Sequence, residues 1–477
     1  MGSASRLLKN TTVLLASNFA TKGLSALFVI YLAIYLEDYG FGQYNFALSF
    51  AMVFIIFSDL GLDALTIKNI ARDPELAGGY LETVGILRFW LSLVMIAVSV
   101  LIAVLMKLDD YLVLVILAAG FAYMFDKMSG LFYAIIRAKE KMEYEAGTQI
   151  AWKAIQTTLG LGAIYFGFSL LEIMLIMLVS SVIKAIIAYT ILGTLGISPK
   201  AKVLTQRDAV HGTVPFAAYE IGNAIYMNIA VIMLYMLATP QETGWFSAGL
   251  RLIMFMLLIP SAFDAAIYPL LSKLYGMSKG DMSYAYGKSI KFSLVAAIPA
   301  AILLAILARE VAGIFGSNYE NTANVLVVLA ALLPLYTLNM LMKTALWSGD
   351  AQKQTAINIW IALAVIIGAS YFLIASDGYI GAALALVTAE SVFLVLNFRD
   401  SRRKGFPMGR YLVKPIIAGL GMIGSALTMN YLTGESMSPM HIATMSFLVY
   451  LLVILLSGFV TRSDRALIRS ALSRRRP

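Results

Sequence analysis

Apolar residues recur along this chain in fourteen long runs separated by short polar joints. A hydrocarbon core about 30 Å thick is crossed by roughly 20 apolar residues in helical form. The runs therefore predict helical spans at about 10–36, 42–64, 84–106, 112–136, 147–167, 170–193, 212–238, 243–272, 288–308, 322–348, 352–374, 378–398, 411–432 and 440–460. The joints alternate in charge. Twenty-six Lys and Arg gather at every second joint: Arg6, Lys9, Lys68, Arg72 and Arg137 early on, then Lys200, Lys202, Arg207 and Lys273, and finally Arg402, Arg410, Arg462 and the run Arg474-Arg475-Arg476. Only Lys107 and Arg309 lie at the opposite joints. Cationic loops remain cytoplasmic, so the pattern predicts a multi-pass plasma-membrane protein with both termini in the cytoplasm. The opposite joints, such as Glu37-Asp38-Tyr39-Gly40, have no room for an outer catalytic domain. The first run is too long for the h-region of a cleaved signal peptide and reads as a span.

Composition agrees. The 477 residues are 60% hydrophobic and 13% charged, with mean hydropathy +0.82; soluble domains carry about 25% charged residues. With no cysteine, disulfides, thiolate metal sites and cysteine nucleophiles are excluded. His211 and His441 are the only histidines, too few for a multi-histidine metal site. Neither metal nor cofactor is expected. The net charge of +9 is concentrated in the loops and tail, so it points to a membrane surface and not to nucleic acid.

A shift of 202 residues lays the second run on the eighth, with Gly42, Leu48, Met52 and Ala64 on Gly244, Leu250, Met254 and Ala266. Two six-span repeats would insert with the same orientation, as parallel repeats about an axis along the membrane normal. The predicted fold class is thus an all-α integral membrane protein of 14 transmembrane helices. It comprises two parallel-repeat six-helix lobes (residues 1–205 and 206–405) plus two extra C-terminal helices and a basic tail (406–477). Such lobes enclose a mid-membrane cavity that rocking opens to alternate sides. The first six runs contain no proline, whereas runs seven to ten contain Pro215, Pro260, Pro269, Pro299 and Pro334. These are either tolerated kinks or sites of bending during transport.

An ionised group at the bilayer centre costs about 2.5–3.5 kcal/mol. Arg88, Lys153, Lys291 and Lys343 are near enough to the cytoplasmic ends of their runs to snorkel, and Asp63 and Asp264 sit near the inner edge. Lys22, Asp126, Lys127, Lys184, Glu220, Arg251 and Glu390 are deeper and should face the interior or one another, with Asp59 intermediate. Asn18, Lys22 and Ser25 recur on one face of the first span, and Glu220, Asn223 and Asn228 mark the seventh. The shift lays Asn18 on Glu220 and Thr21 on Asn223, so both helices are expected to line the central cavity. Lys22 and Arg251, with Lys127, suit an anionic phosphate-bearing ligand, since arginine's fork binds phosphate bidentately. The alternative is an internal salt bridge of Lys22 or Arg251 with Glu220. Glu220, Asp59 and Asp126 are the candidates for coupling to a proton or a sodium ion. Asp126 beside Lys127 also reads as a self-paired structural element.

The segments Asn10-Thr11-Thr12, Tyr39-Gly40-Phe41-Gly42-Gln43-Tyr44-Asn45-Phe46-Ala47, Ser58-Asp59-Leu60-Gly61-Leu62 and Ile70-Ala71-Arg72 resemble the Wzx-type polysaccharide-biosynthesis flippases. These belong to the multidrug/oligosaccharidyl-lipid/polysaccharide (MOP) exporter superfamily. Gly244-Trp245-Phe246-Ser247-Ala248 with Arg251, and Gly378-Tyr379-Ile380-Gly381-Ala382-Ala383, resemble the family in the second half. The resemblance implies a transporter, not an enzyme. It would move a polyprenyl-(pyro)phosphate-linked oligosaccharide from the inner to the outer leaflet through a cationic cavity, as a monomer among membrane lipids. It also implies that spans thirteen and fourteen cradle the lipid tail, and that Lys22 and Arg251 are cavity cations. The rival within the superfamily is a multidrug exporter with an acidic site, which Glu220 favours and the Lys22/Arg251 pair opposes.

Overall fold

The computed structural model describes residues 3–59, 61–199, 214–406, 409–433 and 436–459. Lys200, Lys202, Arg207, His211 and the tail from Arg462 to Arg476 lie outside the described residues, as do the side chains of Arg6, Lys9, Asn10, Thr11, Thr12 and Arg410.

The described chain is helical throughout. In order it forms α1 (Ser3–Ile55), α2 (Leu62–Arg72), α3 (Ala77–Leu105), α4 (Asp110–Ala138), α5 (Met142–Tyr165) and α6 (Leu170–Thr194). Then come α7 (Val214–Leu237), α8 (Pro240–Met256), α9 (Leu258–Met277), α10 (Lys279–Ile306), α11 (Ala308–Ala312) and α12 (Thr322–Leu329). Last are α13 (Leu332–Ser348), α14 (Gln352–Arg403), α15 (Gly409–Thr433) and α16 (Pro439–Leu456). Among the described residues, nine helices are long and apolar enough to cross a membrane, or eleven if the pairs α8–α9 and α12–α13, each bent by 41°, count as one span apiece. The protein is an all-α, multi-pass membrane protein. The helical form follows from the solvent: hydrocarbon offers no hydrogen-bond partners, so the backbone must satisfy itself within each segment.

The difference between this count and fourteen runs has local causes. Both α1 and α14 contain one residue outside helical geometry, Glu37 (φ 55°) and Gly378 (φ 52°). At Gly378 the chain doubles back: a Cβ on Gly381 would lie 1.9 Å from the Leu373 carbonyl oxygen, whereas eight residues of straight helix span about 12 Å. Helix α5, with Glu143, Glu145 and Lys153, is not among the nine.

Direction is readable from contact pairs. Ser17 bonds Ala146 O, Thr157 bonds Leu24 O and Tyr35 bonds Phe168 O, so the first part of α1 runs parallel to α5. The pairs Tyr111–Leu171, Asp126–Lys184 and Phe132–Tyr189 make α4 and α6 parallel too. Buried side chains gather into two large clusters. One is drawn from residues 219–393, and the other from residues 28–174 with Ala248, Phe315 and Tyr319 of the second half.

The halves meet backbone to backbone. A Cβ on Gly42 would lie 1.9 Å from the Pro240 carbonyl oxygen, and one on Gly244 would lie 2.1 Å from that of Asp38. Each contact maps onto the other under the 202-residue shift. Around them, Trp245 Nε1 donates to Asp38 Oδ2 and to Asn318 O, both at 2.9 Å, and Tyr319 donates to Ala33 O at 2.9 Å.

Helices α15 and α16 pack against α10, with the Tyr450 hydroxyl donating to Val295 O at 3.1 Å. Lys291, expected to snorkel, is instead buried and donates to Phe459 O; Lys414 donates to Gly458 O at 3.1 Å. Two ammonium groups thus serve the carbonyl end of α16, where the helix dipole favours cations.

Substituting Gly42→Ala or Gly244→Ala should lower stability by about 1–3 kcal/mol, the usual cost of overpacking a tight contact. Gly162→Ala, with nothing within 4 Å of its new Cβ, should not. Thermal unfolding in detergent checks both; equal melting of the three variants would show that the crossing is not tight.

Candidate functional site

Five of the residues named in the sequence analysis converge: Lys22, Glu220, Asn223, Lys343 and Glu390. Lys22 on α1, with Glu220 and Asn223 on α7, lines a cavity of about 350 Å³. Its other walls are Ser261 on α9, Asn339 and Lys343 on α13, Glu390 on α14, and Tyr219, Tyr226 and Tyr336. Lys22 and Glu220 are exposed although they sit within apolar helices. Lys343, expected to snorkel, lies 5.6 Å over the Tyr219 ring and 5.2 Å over the Trp347 ring, distances at which a cation is attracted to an aromatic face.

Behind this wall runs a buried polar chain. Glu390 accepts from Tyr226 (2.7 Å) and from Asn339 Nδ2 (2.6 Å). Asn397 donates to Asn339, Asn358 donates to Asn397, and Asn358 also donates to Asp400, each at 3.0 Å. A buried polar group without a partner is costly, and this chain supplies partners from the cavity to the end of α14.

A second cavity, about 490 Å³, lies across the α8–α9 break and is almost wholly apolar. Its walls include Phe19 and Gly23 on either side of Lys22 in the sequence, Phe255, Pro260 and Phe263 beside the break, and Phe292. Leu257, at the break, lines the polar cavity, while Met256 and Leu258 line the apolar one. One bent span therefore borders both.

The remaining sequence candidates lie elsewhere. Asn18 is exposed and Ser25 half-buried on α1, but neither lines the polar cavity; Asn228 donates to Ala224 O within its own helix at 2.8 Å. Arg251 lines neither of these two cavities. Its Nε and Nη2 donate to Asn45 Oδ1 at 3.3 and 3.0 Å, across to the second part of α1. No ion pair joins Glu220 to Lys22 or Arg251 among the described residues.

The first half holds a buried charge network. Arg88, with a fully buried side chain, pairs with Asp59 (2.8 Å) and Asp63 (2.9 Å) and donates to Lys127 O (2.7 Å). Lys127 Nζ pairs with Asp59 at 3.0 Å. Asp59 follows the turn Ile56–Ser58 and precedes Gly61, whose φ of 74° breaks the helix there. Two expectations are corrected. Arg88 does not snorkel, because two carboxylates hold it inside. Asp126 and Lys127 do not pair with each other: as sequence neighbours they leave the helix in different directions, and Asp126 pairs with Lys184 of α6 instead.

Sequence reading passed over Asn339, and named Lys343 as a snorkelling cation and Glu390 as a deep charge without placing either in the site. Asn339 and Lys343 repeat the i, i+4 spacing of Asn18 and Lys22, a signal that was available; the role of Glu390 depends on partners from α7 and α13. Among the described residues, no group of three or more His, Cys, Asp or Glu is placed to hold a metal ion.

Arg88→Met should destabilise the protein by about 3–5 kcal/mol, since it strands two buried carboxylates. Adding Asp63→Asn should recover part of the loss. Melting temperatures of the single and double variants measure this, and a double variant no better than the single would mean the charges do not interact.

The polysaccharide biosynthesis protein family model matches residues 7–275, more than half of the chain. No curated protein sequence matches it. Among solved structures, the lipid II flippase MurJ in an inward closed conformation superposes with TM-score 0.69 at 16% identity, over 96% of this chain and 100% of that one. A multidrug resistance MATE family transporter in an inward-facing conformation gives 0.60 at 16% identity, over 83% and 94%. A MOP superfamily transporter from Pyrococcus furiosus, described as having a binding pocket of reversed polarity, gives 0.60 at 15% identity, over 83% and 95%. These likenesses establish a shared fold. With its fold shared with these transporters over most of its length and the family model matching residues 7–275, the chain belongs to the polysaccharide biosynthesis protein family.

Proposed function

We propose that this transporter is a flippase for lipid-linked oligosaccharides, carrying a polyprenyl-(pyro)phosphate-linked glycan from the inner to the outer leaflet of the cell membrane by alternating access. The observation that carries this reading is the pair of adjoining cavities. A polar one holds Lys22 and Lys343, an apolar one lies across the α8–α9 break, and α1 contributes to both. A polyprenyl phosphate needs cations for its head and an apolar wall for the first isoprene units, in that adjacency.

The architecture of this reading has fourteen spans. Helices α1 and α14, with 53 and 52 residues, would be about 80 Å long if straight, more than twice the hydrocarbon thickness. Divided at Glu37 and Gly378 each supplies two spans, and α5 with the two bent pairs completes the number. The repeat-related glycine contacts support two parallel lobes, 1–205 and 206–405, meeting about a pseudo-twofold axis, followed by 406–477. Both termini are cytoplasmic in this reading, and a single chain suffices. Lys22, Arg251 and Lys127, with Asn18, Ser25, Asn223 and Asn228, form the substrate-facing set. Glu220, Asp59 and Asp126 couple transport to a proton or sodium ion; in addition, Glu390 borders the same cavity.

A second reading, export of cationic compounds, draws on one observation: Glu220 and Glu390 supply acid in the polar cavity.

In liposomes, wild-type protein should move a fluorescent polyprenyl-pyrophosphate-linked sugar between leaflets. Lys22→Ala and Arg251→Ala should each slow it by about tenfold or more, the scale of one lost charge-assisted contact. An imposed ion gradient should accelerate the wild type but not Glu220→Gln. Absence of lipid movement, with Glu220-dependent efflux of a cationic dye, would replace the flippase by the exporter.

A further inference from the structure

Helix α7 and the first part of α14 pack together and form two surfaces. On one, Glu220, Asn223 and Ile359 line the polar cavity. On the other lies a groove of about 640 Å³, bounded by Ala218 of α7 and by Lys353, Ile357, Trp360, Ile361 and Ala364 of α14. At about 3.6 residues per turn these α14 positions share one face of the helix, and Ile359 lies on the opposite face. The groove therefore opens away from the polar cavity, towards the surrounding lipid. Ile357, Trp360 and Ile361 are exposed, whereas Thr355, Ile359, Ala362 and Ile366 on the inward face are buried.

One wall of the groove is fixed. The Trp360 indole N–H donates to Ala218 O at 3.0 Å. The ring also lies against Gly222, where a Cβ would be 3.1 Å from Trp360 Nε1. A ring pinned to α7 in this way does not fold over the groove, and the small side chains of Ala218 and Ala364 leave space beside it.

Length and charge say what fits there. From Lys353 to Ala364 a helix rises about 17 Å, close to half of a hydrocarbon core about 30 Å thick. The groove is thus about one leaflet deep. Lys353, the second residue of α14, is exposed at one end and has no hydrogen bond or ion pair among the described residues. It belongs to a joint on the basic side, read above as cytoplasmic, and the other lining residues are apolar. A single cation at the membrane interface, heading an apolar trough one leaflet deep, complements a molecule with an anionic head and a hydrocarbon tail.

We propose that this groove holds one anionic phospholipid of the inner leaflet, with its phosphate at Lys353 and an acyl chain along Ile357, Ile361 and Ala364 beside Trp360. The transported lipid fits less well, because the groove faces away from Lys22 and the polar cavity. A phospholipid seated there braces the seam between α7 and α14, whose other side carries Glu220 and Glu390. Its occupancy does not depend on what the polar cavity carries.

Native mass spectrometry of the full-length chain in detergent tests this, with phosphatidylglycerol or phosphatidylcholine of identical acyl chains added. Wild-type protein should hold phosphatidylglycerol about fivefold more tightly, the scale of one lysine beside an anionic lipid. Lys353→Gln should bring the two affinities together, and Lys353→Arg should keep them apart. Ala364→Phe, which fills an exposed part of the groove, should weaken the binding of both lipids. Equal wild-type affinities, a preference that Lys353→Gln leaves intact, or binding unaltered by Ala364→Phe would each overturn the site. Displacement of phosphatidylglycerol by an equal concentration of polyprenyl phosphate, lost in Ala364→Phe, would overturn it too and assign the groove to the carrier lipid. The two Lys353 variants decide the matter if Ala364→Phe fails to fold.

Discussion

Two peptide carbonyls, those of Asp38 and Pro240, pass so close to Gly244 and Gly42 that no side chain fits between them. This reciprocal contact is the constraint on which the rest of the arrangement depends. It brings the second part of α1, after Glu37, against the start of α8, and it fixes the register in which the first half of the chain meets the second. Trp245, Tyr319 and Asp38 fasten the same end with hydrogen bonds between the halves. With that end closed by backbone packing, Lys22, Glu220 and Arg251 remain exposed in the middle of otherwise apolar helices.

Within the bilayer every charge needs a reason to be there. In the first half most have an evident one, since the Asp59–Asp63–Arg88–Lys127 network and the Lys184–Asp126 pair tie α2, α3, α4 and α6 to one another. In the second half a chain of neutral amides, with the Tyr226 hydroxyl, connects two buried carboxylates, Glu390 and Asp400. Lys22, Lys153, Lys343 and Arg251 stand apart as cations with no carboxylate bound to them among the described residues. Such groups are retained at a cost unless a ligand compensates them, and the α8–α9 break places one set beside an apolar cavity.

The sequence by itself determined the class of this protein. Runs of apolar residues long enough for helical crossings leave only a multi-pass helical bundle, because a backbone in hydrocarbon has no other way to satisfy its polar groups. It also marked the equivalence of Gly42 and Gly244, and it placed Lys22, Glu220 and Asn223 at one depth, since helical periodicity is visible in a linear string. The tertiary structure decided what a linear string does not carry. Whether Lys127 turns to its neighbour Asp126 or to Asp59, sixty-eight positions away, depends on which helix packs beside α4. Whether Arg88, Lys291 and Lys343 reach water or an internal partner depends on what covers them. And that Arg251 meets Asn45 and not Glu220 depends on the glycine crossing, which lays the start of α8 against the second part of α1.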